Sequence, residues 1–202
     1  VRQTGQHYML GETSFFRPEA MYCRRRAAAG DFGDFVYAEG EYCHDVDSPG
    51  CNLRRVREHR LASKAGQEWL IQEKLYHERG LYSGPMHYPT HSISGPFSVM
   101  KAHAERVTCW GYKTRTGDPG FGHPHAFSNE TALFQLSNGA TLRLCEFREI
   151  GGYDTETFRV FGTKGTFREG HWHQHSLHQR LSAAEMRDPL PPEVARAWTN
   201  TS

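Results

Sequence analysis

Residues 131–147 read TALFQLSNGATLRLCEF, two alternating apolar runs, Thr131–Leu136 and Thr141–Phe147, on either side of Ser137-Asn138-Gly139-Ala140. Side chains at every second position of a strand share a face, so each run has one side suited to a core. Asn-Gly between two such runs predicts a tight hairpin whose turn residues both accept positive φ.

Working outward, residues 156–161 read as a further strand that reaches Gly162-Thr-Lys-Gly165 and a short return strand at 166–168. Upstream, Asp34–Asp45 (DFVYAEGEYCHD) places Phe35, Tyr37, Glu39, Glu41 and Cys43 on one side and Val36, Ala38, Gly40, Tyr42 and His44 on the other. Neither side is purely apolar, which points to a sheet with one face lining something wet. Residues 106–113 read as a strand, 114–124 as a Gly/Pro-rich loop, and 8–12 as a short strand.

Helices are marked by their ends. Pro18 stands where a first turn tolerates it, and the run from Glu19 stops at Gly30. Residues 89–103 read as a helix that Gly95-Pro96 should bend or interrupt. Residues 46–83 read as a surface loop or insertion around one helix near 67–77, and the chain from Asp188 as peripheral. Together these give an α+β fold, a large open, mostly antiparallel (mixed) sheet with helices on one face.

Across 202 residues, 24 Lys and Arg balance 23 Asp and Glu, so no net field draws the chain to nucleic acid or an anionic membrane. Arg24-Arg25-Arg26 reads as an exposed helix face. No apolar stretch approaches the roughly 20 residues that cross a bilayer, and a soluble cytoplasmic protein is expected. Cysteines 23, 43, 51, 109 and 145 are odd in number and include no Cys-x-x-Cys pair, which predicts reduced, mostly buried thiols.

The chemistry concentrates in GPMHYPTHSISGP, Gly84–Pro96. His87 and His91 stand four apart, but Tyr88 and Pro89 replace the glutamate and the unbroken helix that a zinc-binding histidine pair requires, so no metal site is expected there. The tract HWHQHSLH, residues 171–178, reads as a solvated polar strand or loop. As proton-transfer groups His87 and His91 fit better, because histidine titrates near neutrality and Tyr88 can share a proton or bind a hydroxyl. A histidine satisfying buried carbonyls at a Pro-rich turn is the bland alternative, and from these residues alone the two stand level. Other polar groups in strand-like or turn-like settings are Arg17, Glu41, His44, Asn129, Glu146 and Arg148. Gathered over one sheet face, they would suit a polyhydroxylated ligand.

The succession SFFRPEAMYCRRRAAAGDFGDFVYAEGEYCHD, GPMHYPTHSISGPFSVM, FSNETALFQLSNGATLRLCEFRE and FRVFGTKGTFRE, spread over residues 8–169, resembles the second domain of the glucose-fructose oxidoreductase and inositol dehydrogenase (Gfo/Idh/MocA) family. The resemblance implies the second domain of a Rossmann-containing oxidoreductase. Residues 1–12 would be the tail of a missing Rossmann domain and 13–202 the substrate-binding and oligomerisation domain.

NAD or NADP would be bound mainly by the absent domain, since no Gly-x-Gly-x-x-Gly occurs here, and this chain is expected to be inactive alone. His91 falls at the family's catalytic histidine, with Tyr88 beside it. His87 and Ser94 replace the aspartates of the usual pattern. Arg17, His44, His87, Asn129 and Arg148 would bind the sugar, polyol or sugar derivative.

Tyr88-Pro-Thr-His91 is also similar to the subgroup of NAD-dependent glycoside hydrolases that oxidise the sugar transiently and eliminate the aglycone. A third expectation, from another class, is a binding or assembly module without chemistry, which forms a homo-oligomer through the sheet face.

Overall fold

The computed structural model describes residues 2–8, 11–46, 53–81, 84–114, 127–152, 154–189 and 192. A 3-10 turn at Thr13–Phe16 leads into α1 (Pro18–Ala28), followed by β1 (Phe35–Cys43), α2 (Leu53–Leu61) and α3 (Lys64–Glu78). A second 3-10 turn, Pro85–His87, precedes α4 (Thr90–Met100). Then come β2 (Ala104–Lys113), β3 (Phe127–Leu136), β4 (Thr141–Phe147), β5 (Thr155–Gly162), β6 (Thr166–Arg168), β7 (His171–Gln174), β8 (Leu177–Arg180) and α5 (Ala183–Met186).

One eight-stranded sheet holds them in the order β2-β3-β4-β1-β5-β6-β7-β8. β1 and β4 run parallel and every other neighbouring pair is antiparallel. The sheet is therefore mixed, mostly antiparallel and open, as the strand pattern predicts.

Helices α1, α4 and α5 lie on one face. Register places Ala38, Gly40 and Tyr42 of β1 beside Leu142, Leu144 and Glu146 of β4 and Val160, Phe158 and Glu156 of β5 on that covered face. The core gathers Tyr22 and Cys23 of α1, Val99 and Met100 of α4, and Leu142, Leu144, Val160, Phe167 and Trp172 of the sheet. Phe32 meets Trp172 edge to face at 4.9 Å between ring centroids, a favoured aromatic geometry. Among the described residues no helix packs on the opposite face. That face carries a charged ladder, in which Arg143 bridges Glu39 (3.3 Å) and Glu41 (2.7 Å) and Arg159 reaches Glu39 at 2.8 Å.

The 131–147 hairpin forms with a different turn from the one its Asn-Gly predicts. Gly139 has φ +85° whereas Asn138 does not adopt positive φ. Leu136 N–H donates to Ala140 O at 2.9 Å, Gly139 N–H to Leu136 O at 2.9 Å, and Asn138 Oδ1 accepts from Ala140 N–H at 3.1 Å. The three-residue loop needs one left-handed residue, and the Asn138 side chain serves as a backbone acceptor instead.

Gly95-Pro96 does not interrupt α4, which runs unbroken through both. Pro96 deprives the Ser92 carbonyl of its usual N–H donor, and that carbonyl lies against Gly40 of β1. Gly95 lies under the Phe158 ring, where a Cβ would approach within 2.7 Å. The two residues let the helix sit close on the sheet.

Other expectations are corrected. Of residues 8–12, Tyr8, Gly11 and Glu12 are described and join no strand. The segment 46–83 holds α2 as well as the expected helix, here α3. The tract 171–178 takes the strand form of its two alternatives, in the edge hairpin β7–β8, and is not solvated throughout, since Trp172 is fully buried.

Arg24, Arg25 and Arg26 are tethers more than a bare surface. Arg24 Nη1 donates to Phe15 O (2.6 Å), Arg25 pairs with Asp188, and Arg26 pairs with Asp31 at 2.9 Å. Cys23 and Cys145 are buried, Cys43 half-buried and Cys109 exposed. Cys51 and the segment 115–124 lie outside the described residues. No helix among the described residues is long and apolar enough to cross a membrane.

Candidate functional site

His91 stands one residue inside α4, at the end where that helix meets the Thr13–Phe16 turn and β1. Two carboxylates, half-buried Glu130 and buried Glu146, fix this corner. Glu130 of β3 accepts the Met86 N–H at 2.6 Å, which holds the turn that leads into the segment. Glu146 of β4, fully buried, accepts the Ser92 hydroxyl at 2.5 Å and pairs with Arg148 Nη2 at 2.8 Å. Ser92 directly follows His91, so the Glu146 bond sets the ring's position on the sheet. Burial pushes the Glu146 carboxyl up, against the pull of Ser92, Arg148 and His91.

His91 Nδ1 lies 3.2 Å from Glu12 Oε1 and 3.2 Å from Ser14 Oγ. Burial would raise Glu12, but the Ser14 backbone N–H, the Thr90 and Ser14 hydroxyls and the His91 charge together hold it below the ordinary carboxylate range. An ionised Glu12 accepts the Nδ1 proton of a neutral His91, which leaves the lone pair on Nε2. That is the arrangement of an oriented general base. The Ser14 hydroxyl also makes a short hydrogen bond to Glu156, and Glu156 pairs with Arg17 Nη2 at 2.6 Å.

Tyr42 forms the floor. Its ring centroid is 5.0 Å from that of His91, and the Arg148 guanidinium carbon lies 4.6 Å from it. Tyr42 Oη meets His44 Nδ1 at 2.9 Å, and His44 Nε2 faces Asp154 Oδ2 at 3.4 Å.

The structure thus brings together His91, His44 and Arg17 from the residues singled out in the sequence. Tyr88 is 52% exposed on the loop just before α4, and His87 is exposed beside it. Arg148 is buried behind Tyr42 with its guanidinium engaged by Glu146, Tyr42 O and Phe147 O. Asn129 clamps the backbone after β4, accepting from the N–H groups of Arg148 (2.8 Å) and Glu149 (2.9 Å) and donating to Glu149 O at 2.8 Å. Glu41 lies on the opposite, open face.

Glu12, Ser14, Tyr42, Glu156 and Asp154 join the site without having been singled out. The Tyr42-x-His44 spacing at a strand end is a local signal for the third; nothing local marks the others. Among the described residues no group of three or more His, Cys, Asp or Glu side chains is placed to hold a metal ion.

No family model matches this sequence, and no curated protein matches it. Solved structures do. The inositol dehydrogenase homolog from Azotobacter vinelandii, solved with NAD+, superposes with a TM-score of 0.60 at 14% identity over 94% of this chain and 50% of its own. The aldose-aldose oxidoreductase from Caulobacter crescentus gives 0.63 at 14% over 94% and 50%. An oxidoreductase domain protein from Kribbella flavida gives 0.63 at 16% over 96% and 50%.

The fold is that of the second domain of these oxidoreductases. The chain spans about half the length of the structures it matches. The chain itself contains no Gly-x-Gly-x-x-Gly sequence.

Proposed function

We propose that the chain is the substrate-binding and catalytic domain of an NAD- or NADP-dependent oxidoreductase acting on a sugar, polyol or sugar derivative. The observation that carries this reading is the Glu12–His91 pair, a histidine oriented through Nδ1 at 3.2 Å and half-exposed at the rim of the sheet. A nicotinamide held by an adjoining dinucleotide-binding domain would supply the hydride acceptor. His91 Nε2 takes the carbinol proton while Glu12 steadies the imidazolium that results. Arg17 and Tyr88 line the approach, where they bind further hydroxyls.

Two solved relatives in fold support the substrate class. One was solved with NADH and myo-inositol, and a levoglucosan dehydrogenase with NADH and levoglucosan.

The test is reduction of NAD or NADP over a panel of polyols and aldoses, with the chain joined to its nucleotide-binding domain. His91→Ala should lower turnover by about 100-fold or more if His91 is the general base. Turnover unchanged by that substitution overturns the role.

A second reading, glycoside cleavage through transient oxidation, is favoured by Tyr88-Pro-Thr-His91 and by the hydrogen-bonded Tyr42–His44 pair beside His91. Release of nitrophenol from a nitrophenyl glycoside with only catalytic NAD separates it from a dehydrogenase, which consumes cofactor stoichiometrically.

A further inference from the structure

Arg17 and Arg148 bring two guanidiniums to the corner around His91, and a carboxylate holds each. Arg148 is buried, with Nη2 on Glu146 at 2.8 Å and Nη1 on the Tyr42 and Phe147 carbonyls. Arg17 is the more exposed of the two, and both of its terminal nitrogens go to Glu156. Nη2 meets Oε2 at 2.6 Å, and Nη1 meets the Glu156 backbone carbonyl at 3.1 Å. The second carboxylate oxygen of Glu156 accepts the Ser14 hydroxyl. Glu156 is the deeper partner, with 12% of its side chain exposed against 42% for Arg17. A carboxylate fixed at both oxygens therefore turns the fork of Arg17 inward.

Beside the buried Arg148–Glu146 pair, three further carboxylates, Glu12, Asp154 and Glu156, line the same corner as Arg17 and the imidazoles of His44 and His91. Glu12 is held below the ordinary carboxylate range, and Asp154 and Glu156 both act on the Tyr42 phenol. A carboxylate or phosphate on a ligand entering here meets like charge. The planar fork that would recognise it through two parallel hydrogen bonds is already engaged. A hydroxyl meets no such barrier, since it donates to a carboxylate and accepts from a guanidinium whose charge is balanced.

We propose that Glu156 sets the charge class of the substrate: the site admits an uncharged sugar or polyol and rejects one that bears a carboxylate or phosphate, because Glu156 holds the guanidinium such a group needs. The inference rests on the oxidoreductase reading for the ligand being a sugar, and on the Arg17–Glu156 geometry for the sign of the discrimination. It concerns binding alone, and neither residue makes or breaks a bond. A repulsive charge discriminates where attractive contacts to the shared hydroxyls cannot. Ser14 Oγ is also 3.2 Å from His91 Nδ1, so a change at Glu156 is felt at the base, and the informative quantity is a ratio between two substrates in which that common effect cancels.

NMR of the chain carrying 15N-labelled arginine, titrated with inorganic phosphate at constant ionic strength, reads anion binding at Arg17 without sugar or cofactor. The Arg17 signals are identified by their loss in Arg17→Met. Glu156→Gln should bind phosphate at Arg17 about 10-fold or more tightly than the parent, the scale of a charge-assisted hydrogen bond. The gain should vanish in the double variant Glu156→Gln/Arg17→Met. Phosphate held at Arg17 as tightly by the parent as by Glu156→Gln overturns the proposal.

In the enzyme joined to its nucleotide-binding domain, each neutral sugar is compared with its own uronic acid and its own phosphate. The parent should favour the neutral member by about 100-fold or more in kcat/KM. Glu156→Gln should narrow that ratio by about 10-fold or more, through the KM of the charged member more than through kcat. Equal kcat/KM for neutral and charged members in the parent overturns the proposal, and this comparison decides even if Glu156→Gln does not fold. A ratio unmoved in a folded Glu156→Gln overturns it as well. If the parent oxidises no sugar of either kind, the oxidoreductase reading fails, and the phosphate titration still decides whether Glu156 bars anions from Arg17.

Discussion

Gly40 of β1 lies against the Ser92 carbonyl of α4 so closely that a Cβ at position 40 would come 2.0 Å from the oxygen and 2.9 Å from Leu144 Cδ2. Three sequence features meet at this contact. Gly40 omits a side chain, Pro96 omits the N–H that would have engaged the carbonyl, and Ser92 itself is tied to Glu146. His91 inherits its place from them, because its neighbour can sit nowhere else.

Gly40→Ala should therefore push α4 off the sheet. The clash is with backbone, which cannot rotate away, so the cost should exceed the about 1–3 kcal/mol of ordinary overpacking. Urea unfolding of the variant checks it, and an unchanged midpoint would show that α4 floats over β1 instead of resting on it.

Arg148 and Glu146 are 3% and 0% exposed and bonded at 2.8 Å. Arg148→Met leaves the carboxyl of Glu146 buried with Ser92 alone, and breaking a buried pair costs about 3–5 kcal/mol. Since burial already raises Glu146, the carboxyl can take up a proton, and the loss should fall toward the lower end and shrink in acid. Equilibrium unfolding at pH 7 and pH 5 measures both effects. A stable variant with weakened sugar binding would instead make Arg148 a substrate ligand.

Much of this was legible in the sequence where the determinants are local. The 131–147 alternation gives the hairpin, Pro18 and Gly30 bracket α1, and the segment 84–96 marks the site because its histidines and prolines are neighbours in the chain. What escaped depends on distance. Glu12 and Ser14 meet His91 across 79 and 77 residues, and no periodicity in either segment announces the meeting. Asp154 likewise completes the Tyr42–His44 pair from another strand's threshold. In the β7–β8 tract a strand is one of the two readings, and what its histidines and glutamines hide is the burial that the single Trp172 supplies.

Trp110 and Tyr112 are 67% and 61% exposed on β2, at an edge of the open sheet face. We propose that a second copy of the chain covers this face, where the aromatic edge and the Arg143–Glu41 ladder give each copy both apolar and charged partners. Trp110→Asp should convert the oligomer into a monomer in sedimentation velocity with the fold intact by circular dichroism, because an exposed edge side chain supports no core. A parent chain that already sediments as a monomer removes this proposal.

Glu12→Gln preserves the shape of the His91 contact and removes its charge. Glu12 is held below its ordinary pKa in the folded chain, so it releases its proton more readily there than in the unfolded one. Its contribution to stability is present above the unfolded value of about 4.3 and is lost as pH falls through the lower folded value. The variant should thus be less stable than the parent by about 1–2 kcal/mol at pH 7, the scale of a charge-assisted hydrogen bond. The gap should narrow as pH falls below the unfolded value of about 4.3 and close once pH has passed the lower folded value, where the parent's carboxyl also becomes neutral. Urea midpoints at pH 7 and pH 3.5 decide it. A gap of the same size at both would mean that the substitution disturbs packing at the Thr13–Phe16 turn, and that the carboxylate charge does not hold His91.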